Sequence, residues 1–278
     1  MIFNSKNIFL NLLAKIVIGS FLFGCASSEK STVSCVKKNG LSISPYKGNS
    51  LSDGEIVLTY DDGPTEYTKK IGDYLHSEGI QATFFIQGSR VEGNEAILSN
   101  LKAQGHIIAN HTYNHENLTT SFDPASNLRK TDQKIYPFIT GNIFLFRPPF
   151  GSVNEKVVRL INQSDMGKYI GPIMFDIGDE LYQKYGADWA CWEAELTFEE
   201  CGEKYLFEIN EKRKGIVLLH DSKVESYQMT KWLIPRLKGA GIKVVRIDRI
   251  PALRSVLQEN EAEVDKIGGY AGCVEFEK

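Results

Sequence analysis

The sequence contains no long hydrophobic run and no block of basic residues, and each absence excludes a class of protein. The N-terminal apolar run, Ile16–Phe23, is too short to cross a bilayer as a helix. Lys and Arg are spread along the chain and the formal net charge is -3, which argues against nucleic acid as a partner. What remains is the composition of an ordinary globular protein, long enough at 278 residues for one large domain or two small ones.

The first 25 residues have the features of a secretory signal peptide. They contain no acidic residue and two basic ones, Lys6 and Lys15, ahead of the apolar run. The run ends in Leu22-Phe23-Gly24-Cys25, which resembles a bacterial lipoprotein signal, and cleavage before Cys25 would leave a lipidated cysteine. We therefore expect an exported protein that is lipid-anchored to a membrane and faces the periplasm or the cell exterior. A plain signal peptide and a soluble secreted protein are the alternative.

The cysteines are few, but they support export. If Cys25 is lipidated, Cys35, Cys191, Cys201 and Cys273 remain, and three pairings are possible. Cys191 and Cys201 are close in sequence, which favours a local Cys191–Cys201 disulfide and leaves Cys35–Cys273 to join the two ends of the chain. Such bridges persist outside the reducing cytoplasm.

Strand and helix patterns alternate along most of the chain. Residues 26–50 are rich in Ser, Gly and Lys, lack apolar periodicity and are predicted to be a tether. Strands are predicted near residues 55–60, 83–87, 106–110, 143–147, 170–176, 215–220 and 243–247. Helices are predicted near residues 66–78, 93–104, 124–138, 153–164, 198–212 and 226–240.

This alternation predicts an α/β fold with a mainly parallel sheet and helices outside it. About seven strand–helix units in about 200 residues favour a distorted (β/α) barrel of about seven parallel strands over two domains. We assign residues 51–278 to this domain, including a C-terminal extension. A doubly wound open sheet is the alternative.

Two adjacent carboxylates follow the first predicted strand of the barrel. The apolar run Ile56-Val57-Leu58 leads to Asp61 and Asp62, and a Gly63-Pro64 turn follows. Neighbouring residues of a strand point to opposite faces, but at the end of the strand the two side chains can diverge. We expect one carboxylate to bind a metal and the other to face the substrate.

Two of the five histidines follow the third predicted strand. His111 and His115 are four residues apart, so a single helical turn would let both face one metal ion. Together with Asp62 they would form a two-His, one-Asp ligand set that leaves positions open for water and substrate, as in catalytic sites. Zinc is the expected metal, although such ligands also bind other divalent ions.

Two further strand ends carry candidate catalytic residues. Arg147 precedes a rigid Pro148-Pro149 pair, where it can pair with a carboxylate, and the backbone N–H of Phe150 can donate to an oxyanion. His220 ends the strongly apolar stretch Ile216–Leu219, which favours a role in general acid/base catalysis at the same rim of the barrel.

Taken in order across about residues 55–250, these stretches resemble the five motifs of the polysaccharide deacetylase family (carbohydrate esterase family 4). Residues 59–64, TYDDGP, are close to the family's TFDDGP, which implies Asp61 as the catalytic base and Asp62 as a metal ligand. Residues 111–115, HTYNH, would supply the two His ligands, with Glu116 where the family usually has Pro.

The three later motifs match less uniformly. Residues 147–151, RPPFG, resemble the family's RPPYG, which implies that Arg147 orients Asp61. Residues 218–220, LLH, match the family's LxH, which implies Leu218 against the acetyl methyl group and His220 as the acid. The fourth motif is an Asp-Trp pair whose Asp supports that His. Asp188-Trp189 fits it, but Asp176 and Asp179 are alternatives because the chain has an insertion before residue 188.

The resemblance implies a metal-dependent hydrolase of amide bonds that removes acetyl groups from N-acetylated amino sugars in a polysaccharide. For an exported bacterial protein, peptidoglycan is the expected substrate. Trp189 and Trp192 are expected either to form a wall on which sugars stack or to pack the inserted loop. The alternatives are N-deacetylation of chitin or an exopolysaccharide, O-deacetylation of acetyl-xylan, and, least expected, an inactive glycan-binding lipoprotein.

Overall fold

The structure is a computed structural model that describes residues 40–266, with side chains as far as residue 259. The predicted signal peptide, Cys25, Cys35 and Cys273 lie outside these residues. Within them the strands are β1 Leu41–Tyr46, β2 Glu55–Asp61, β3 Thr83–Ile86, β4 Ile107–Asn110, β5 Gly171–Ile173, β6 Gly215–His220 and β7 Lys243–Val244. The α-helices are α1 Glu66–Ser77, α2 Glu95–Ala103, α3 Pro124–Ile135, α4 Glu155–Asn162, α5 Asp188–Glu193, α6 Phe198–Lys212, α7 Val224–Gly239 and α8 Pro251–Lys266.

A parallel sheet lies at the centre of the molecule. Its strand order is β4-β3-β2-β6, and β7 pairs with the first residues of β2. Each of these pairings is parallel, and the strands are almost continuously buried. The run of apolar residues in each strand is explained by this burial, because helices cover one face of the sheet and the interior of the fold covers the other.

Isolated parallel bridges extend the pairing around the molecule. Asn110 pairs with Phe146, Leu145 with Ile170, and Ile177 with Val217. The predicted α/β fold of parallel strands is therefore confirmed, but no continuous ladder closes a barrel within residues 40–266. The strand predicted at 143–147 is reduced to two bridge residues, Leu145 and Phe146.

The alternation of side chains along β2 separates the two faces. Ile56, Leu58 and Tyr60 pack in one apolar cluster with residues of α1, α2, α6 and α7. Val57 belongs to a second cluster on the opposite face, which α8 helps to fill. Since strand positions alternate, Thr59 and Asp61 face the same interior as Val57. The strand thus carries Asp61 into the interior.

β1 lies in the segment that the sequence analysis assigned to a tether. It pairs in parallel with β5, and Asn162 fixes its first residue, donating to Leu41 O and accepting from Leu41 N at 2.8 Å each. Leu41 is the buried residue of the strand, whereas positions 43–45 are exposed, so no apolar periodicity marks the segment. The prediction of a tether as far as residue 50 was wrong for residues 41–46.

A disulfide joins Cys191 in α5 to Cys201 in α6, as expected from their spacing. Neither α5 nor α8 was predicted, whereas the six predicted helices correspond to α1–α4, α6 and α7. Among the described residues, none of the helices combines the length and the apolar character needed to span a bilayer.

Candidate metal centre and active site

Asp61 and Asp62 diverge at the end of β2. Asp61 is the last residue of the strand and is buried in the interior. Asp62 has a left-handed backbone conformation with φ of 79°, which turns its carboxylate away from the direction the strand would give it. Adjacent residues therefore present their carboxylates to different partners.

Asp62, His111 and His115 form a compact cluster. Their candidate ligand atoms all lie within 4.8 Å of one another. The Nε2 atoms of His111 and His115 lie 3.5 Å and 3.3 Å from Asp62 Oδ1.

The two histidines meet on a loop and not on a helical turn, which corrects the expectation from their spacing. Side chains replace the helical hydrogen bonds in this loop. Thr112 N donates to Asn110 Oδ1 at 2.9 Å, and Tyr113 N donates to Asn127 Oδ1 at 2.7 Å. The left-handed conformations of Thr112 and His115 complete the turn that brings both rings to Asp62.

These three side chains fit a divalent cation. Asp62 Oδ1 is buried and has no hydrogen-bond partner, which is costly unless a cation binds it. His111 Nδ1 donates to Arg147 O at 2.9 Å, since a carbonyl can only accept, and this leaves the Nε2 lone pair directed at the cluster. Burial lowers the pKa of His111 to about 3, so the ring is neutral and ready to bind a metal at neutral pH.

A buried ion pair adjoins the cluster. Arg147 Nη1 donates to Asp61 Oδ1 and to Thr59 Oγ1 at 2.8 Å each, and Nε donates to Ile173 O at 2.9 Å. Asp61 Oδ2 lies 3.7 Å from His111 Nε2, facing the candidate metal site. Burial raises the pKa of Asp61, and the Arg147 guanidinium opposes that rise. One oxygen of Asp61 is therefore held in place, and the other is free to accept a proton.

Thr59 is a contributor to this pair that the sequence analysis did not single out. Its hydroxyl accepts from Arg147 and donates to Val217 O at 2.7 Å. The available signal was its position two residues before Asp61, on the same face of β2.

His220 and Asp188 form the second polar pair of the site. His220 Nδ1 donates to Asp188 Oδ1, and His220 N donates to Asp188 Oδ2, each at 2.7 Å. Burial would lower the pKa of His220, but the Asp188 carboxylate outweighs it and raises that pKa to about 10. The imidazole is therefore protonated at neutral pH, and its Nε2–H is available as a donor.

The other two aspartates left open by the sequence lie elsewhere. Asp176 Oδ2 accepts from Gly48 N and Ile216 N at 2.8 Å each, so it joins two backbone segments. Asp179 is exposed and lines the cavity described next. Of the three candidates, Asp188 is the one that the structure places against His220.

One cavity of about 600 Å³ collects these groups. Its lining includes the predicted site residues Asp61, Asp62, His111, His115, Arg147, Phe150, Trp189, Leu218 and His220. Asp188 is fully buried behind His220. Phe150 and Trp189 are 71% and 45% exposed, so the cavity has aromatic surface at its mouth. Phe150 has a left-handed backbone with φ of 57°, a conformation that non-glycine residues rarely adopt without a structural reason.

Comparisons with known proteins agree with this geometry. A family model described as polysaccharide deacetylase matches residues 48–168. A peptidoglycan-N-acetylglucosamine deacetylase of Bacillus cereus is 28% identical over 200 residues, which cover 70% of this chain and 87% of the relative. A second Bacillus cereus protein of the same description is 37% identical over 108 residues. The match covers 38% of this chain and 39% of the relative.

A solved structure shows the same fold. The crystal structure of a peptidoglycan N-acetylglucosamine deacetylase matches with a TM-score of 0.60 and 24% identity, over 74% of this chain and 91% of the other. The matched segment of the family model contains the three candidate metal ligands, Asp61 and Arg147. The chain therefore contains a polysaccharide deacetylase domain that includes residues 48–168, and its fold is that of a peptidoglycan N-acetylglucosamine deacetylase.

Proposed function

We propose that this chain is a divalent-metal-dependent deacetylase that hydrolyses N-acetyl groups of amino sugars in peptidoglycan and releases acetate. The observation that carries the proposal is the convergence in one cavity of a buried carboxylate–His–His cluster, an Arg-held carboxylate and a carboxylate-held imidazole. Hydrolysis of an acetamide needs an activated water, a stabilised oxyanion and a protonated leaving amine. Each of the three groups suits one of these needs.

Asp62, His111 and His115 would hold the cation, and the mixture of imidazole and carboxylate ligands suits zinc. When bound, such a cation lowers the pKa of its water and polarises the acetyl carbonyl. The buried Arg147 carbonyl keeps the His111 ring in the orientation and tautomer needed for ligation.

Asp61 acts as the general base. Its free oxygen, Oδ2, accepts the proton of the attacking water, while Arg147 holds the other oxygen in place. Because burial raises the pKa of Asp61, it is a stronger base than an exposed aspartate. The Arg147 charge favours the ionised carboxylate and so opposes the effect of burial.

Other residues of the cavity lining contact the acyl group and the leaving amine. The backbone N–H of Phe150 donates to the tetrahedral oxyanion, and Leu218 contacts the acetyl methyl group. His220 donates the proton to the departing amine, and Asp188 stabilises the protonated imidazole until that transfer.

Peptidoglycan is proposed as the substrate on three grounds. The relatives reported above are described as peptidoglycan-N-acetylglucosamine deacetylases. The exposed faces of Phe150 and Trp189 at the cavity mouth suit stacking against sugar rings. The N-terminal sequence suits an exported, lipid-anchored protein, which would meet the cell wall.

The experiment measures acetate released from purified peptidoglycan, chitin oligomers and O-acetylated xylan by the zinc-loaded and the chelator-treated protein. We expect metal-dependent acetate from peptidoglycan, and the masses of the muropeptides then show which sugar is deacetylated. Acetate from chitin or xylan alone would reject peptidoglycan as the substrate. Glycan binding without acetate release from any of the three would contradict the enzymatic role.

A further inference from the structure

α5 is only six residues long, but it contributes several residues to the site. Asp188 is its first residue, Trp189 and Trp192 line the cavity, and Cys191 forms the disulfide. A helix this short has few internal hydrogen bonds and depends on neighbouring elements for its position. The placement of Asp188 against His220 must therefore be fixed from outside α5.

The hydroxyl of Tyr205 links α5 directly to the strand that carries His220. It accepts from Asp188 N at 3.0 Å and donates to Leu218 O at 2.9 Å. Leu218 precedes His220 by two residues in β6. One oxygen atom therefore spans the gap between the first residue of α5 and the end of β6.

Burial and the neighbouring Gly178 both favour this contact of the Tyr205 hydroxyl. The side chain is fully buried, and burial raises the pKa of its phenol well above the usual range, so the proton that Leu218 O accepts is retained. A Cβ at Gly178 would lie 2.9 Å from Tyr205 Oη and 2.5 Å from Leu218 O. The phenol reaches β6 across a position where there is room for glycine only.

A disulfide and a hydrogen bond from one face of α6 hold α5 in place. Tyr205 and Cys201 are four residues apart in α6, so they lie on the same side of that helix. Cys201 holds α5 through the disulfide to Cys191, and Tyr205 holds Asp188 at the start of α5. The disulfide restrains α5 as a whole, whereas the Tyr205 hydroxyl sets where Asp188 stands relative to β6.

We propose that Tyr205 is a positioning residue for the general acid, which fixes Asp188 against His220. Tyr205 is absent from the cavity lining, so it acts through Asp188 and not on the substrate. The carboxyl groups that interact with His220 are Asp188 from α5, Asp61 and Asp62 from the end of β2, and Asp221, which follows β6. Loss of the Tyr205 hydroxyl removes none of these groups and changes how Asp188 is held. The inference rests on the proposed role of His220.

The test is Tyr205→Phe, assayed on two substrates that differ in their leaving group. An N-acetylglucosamine oligomer releases an amine that must be protonated, whereas p-nitrophenyl acetate releases a phenolate that needs no acid. We expect kcat for the oligomer to fall about 10-fold or more with KM little changed, and the rate on the ester to stay within about twofold. A merely structural role would lower both rates together.

Tyr185→Phe is the matched control. Tyr185 lies in the insertion before α5, and its hydroxyl donates to the exposed Glu211 at 2.7 Å and not to Asp188 or β6. We expect this variant to behave as the wild type on both substrates. Equal losses on both substrates in Tyr205→Phe, or no loss on the oligomer, would overturn the proposal.

A measurement without turnover separates this inference from the proposed function. The Nδ1 proton that His220 shares with Asp188 should give a downfield NMR signal in the wild type, and the signal should broaden or move upfield in Tyr205→Phe. Absence of deacetylation by the wild type would reject the function and leave this readout intact. An unchanged signal in Tyr205→Phe would reject the positioning role whatever the activity.

Discussion

At the scale of single residues, the site depends on two neighbours that perform different tasks. Asp61 continues the interior face of β2 and is held by Arg147, whereas the left-handed backbone of Asp62 turns its carboxylate to His111 and His115. The two carboxylates are therefore not interchangeable. Substitution of one should leave the other's task intact.

Asp61→Asn should abolish turnover and retain the metal. The amide cannot accept a proton from water, so we expect kcat to fall about 10³-fold. Asp62, His111 and His115 are untouched, so the metal content of the purified variant should equal that of the wild type. Acetate release and elemental analysis on one preparation measure both. Activity within about tenfold of the wild type would contradict the role of Asp61 as base.

At the scale of elements, each strand end contributes a part, and the loops after the strands determine the geometry. β2 supplies the carboxylates, the loop after β4 supplies the histidines, and β6 supplies His220. α5 supplies the carboxylate that holds His220, although it follows an insertion and is not part of the regular alternation. Its contribution can be measured through the pH dependence of activity.

Asp188→Asn should move the alkaline limb of the activity profile to lower pH. His220 must be protonated to act as the acid, so activity is lost as pH rises through its pKa of about 10. Without the Asp188 charge, burial lowers that pKa toward or below the ordinary value of about 6.5. The acid limb, which would report the proposed base Asp61, should remain at its wild-type position.

Asp179→Asn is the control for this profile. It removes a negative charge from the same cavity lining, but Asp179 makes no hydrogen bond to His220. Its alkaline limb should stay near that of the wild type. A shift of equal size in both variants would show that cavity charge, and not the Asp188 contact, sets the pKa of His220.

At the scale of the whole molecule, acid should destabilise the fold through a histidine outside the site. His106 is fully buried, where its Nδ1 accepts from Ala82 N and its Nε2 donates to Gly72 O. Burial lowers its pKa to about 4, from 6.5. Between pH 6.5 and 4 the unfolded chain therefore binds a proton at this histidine that the folded chain does not bind. The free energy of unfolding falls by about 3 kcal/mol as pH drops from above 6.5 to below 4.

His106→Gln tests this linkage, because glutamine can accept and donate in the same places without titrating. Urea unfolding at several pH values between 7.5 and 4 should show a shallower loss of stability in the variant than in the wild type. Identical slopes for the two proteins would assign the acid sensitivity to other groups.

Much of the fold could be predicted from the sequence, because buried strands and amphipathic helices have distinct apolar patterns. α6 was predicted at its observed bounds, and β2, β3, β4 and β6 to within a residue or two. β1 was missed because Leu41 is its buried residue and the rest of the strand shows no alternation. α5 was missed because six residues are too few to show a helical period.

The site could be predicted as a set of residues but not as a geometry. The spacing of His111 and His115 indicated a shared metal, yet the loop that joins them depends on Asn110 and Asn127. The choice of Asp188 over Asp176 and Asp179 could not be made, because all three follow β5 in sequence and only packing on α6 determines which one reaches His220. Contacts between distant segments leave no local pattern.

The central claim is that Asp62, His111 and His115 form a metal centre on which amide hydrolysis depends. The most direct test removes the metal with chelator, restores zinc in steps, and follows both bound zinc and acetate released from the glycan substrate. We predict no activity without metal and full recovery at one equivalent per chain. His111→Ala should neither bind that equivalent nor recover, whereas His76→Ala, at an exposed position in α1, should do both. Undiminished acetate release by the metal-free protein, or a full equivalent of zinc in His111→Ala, would contradict the account.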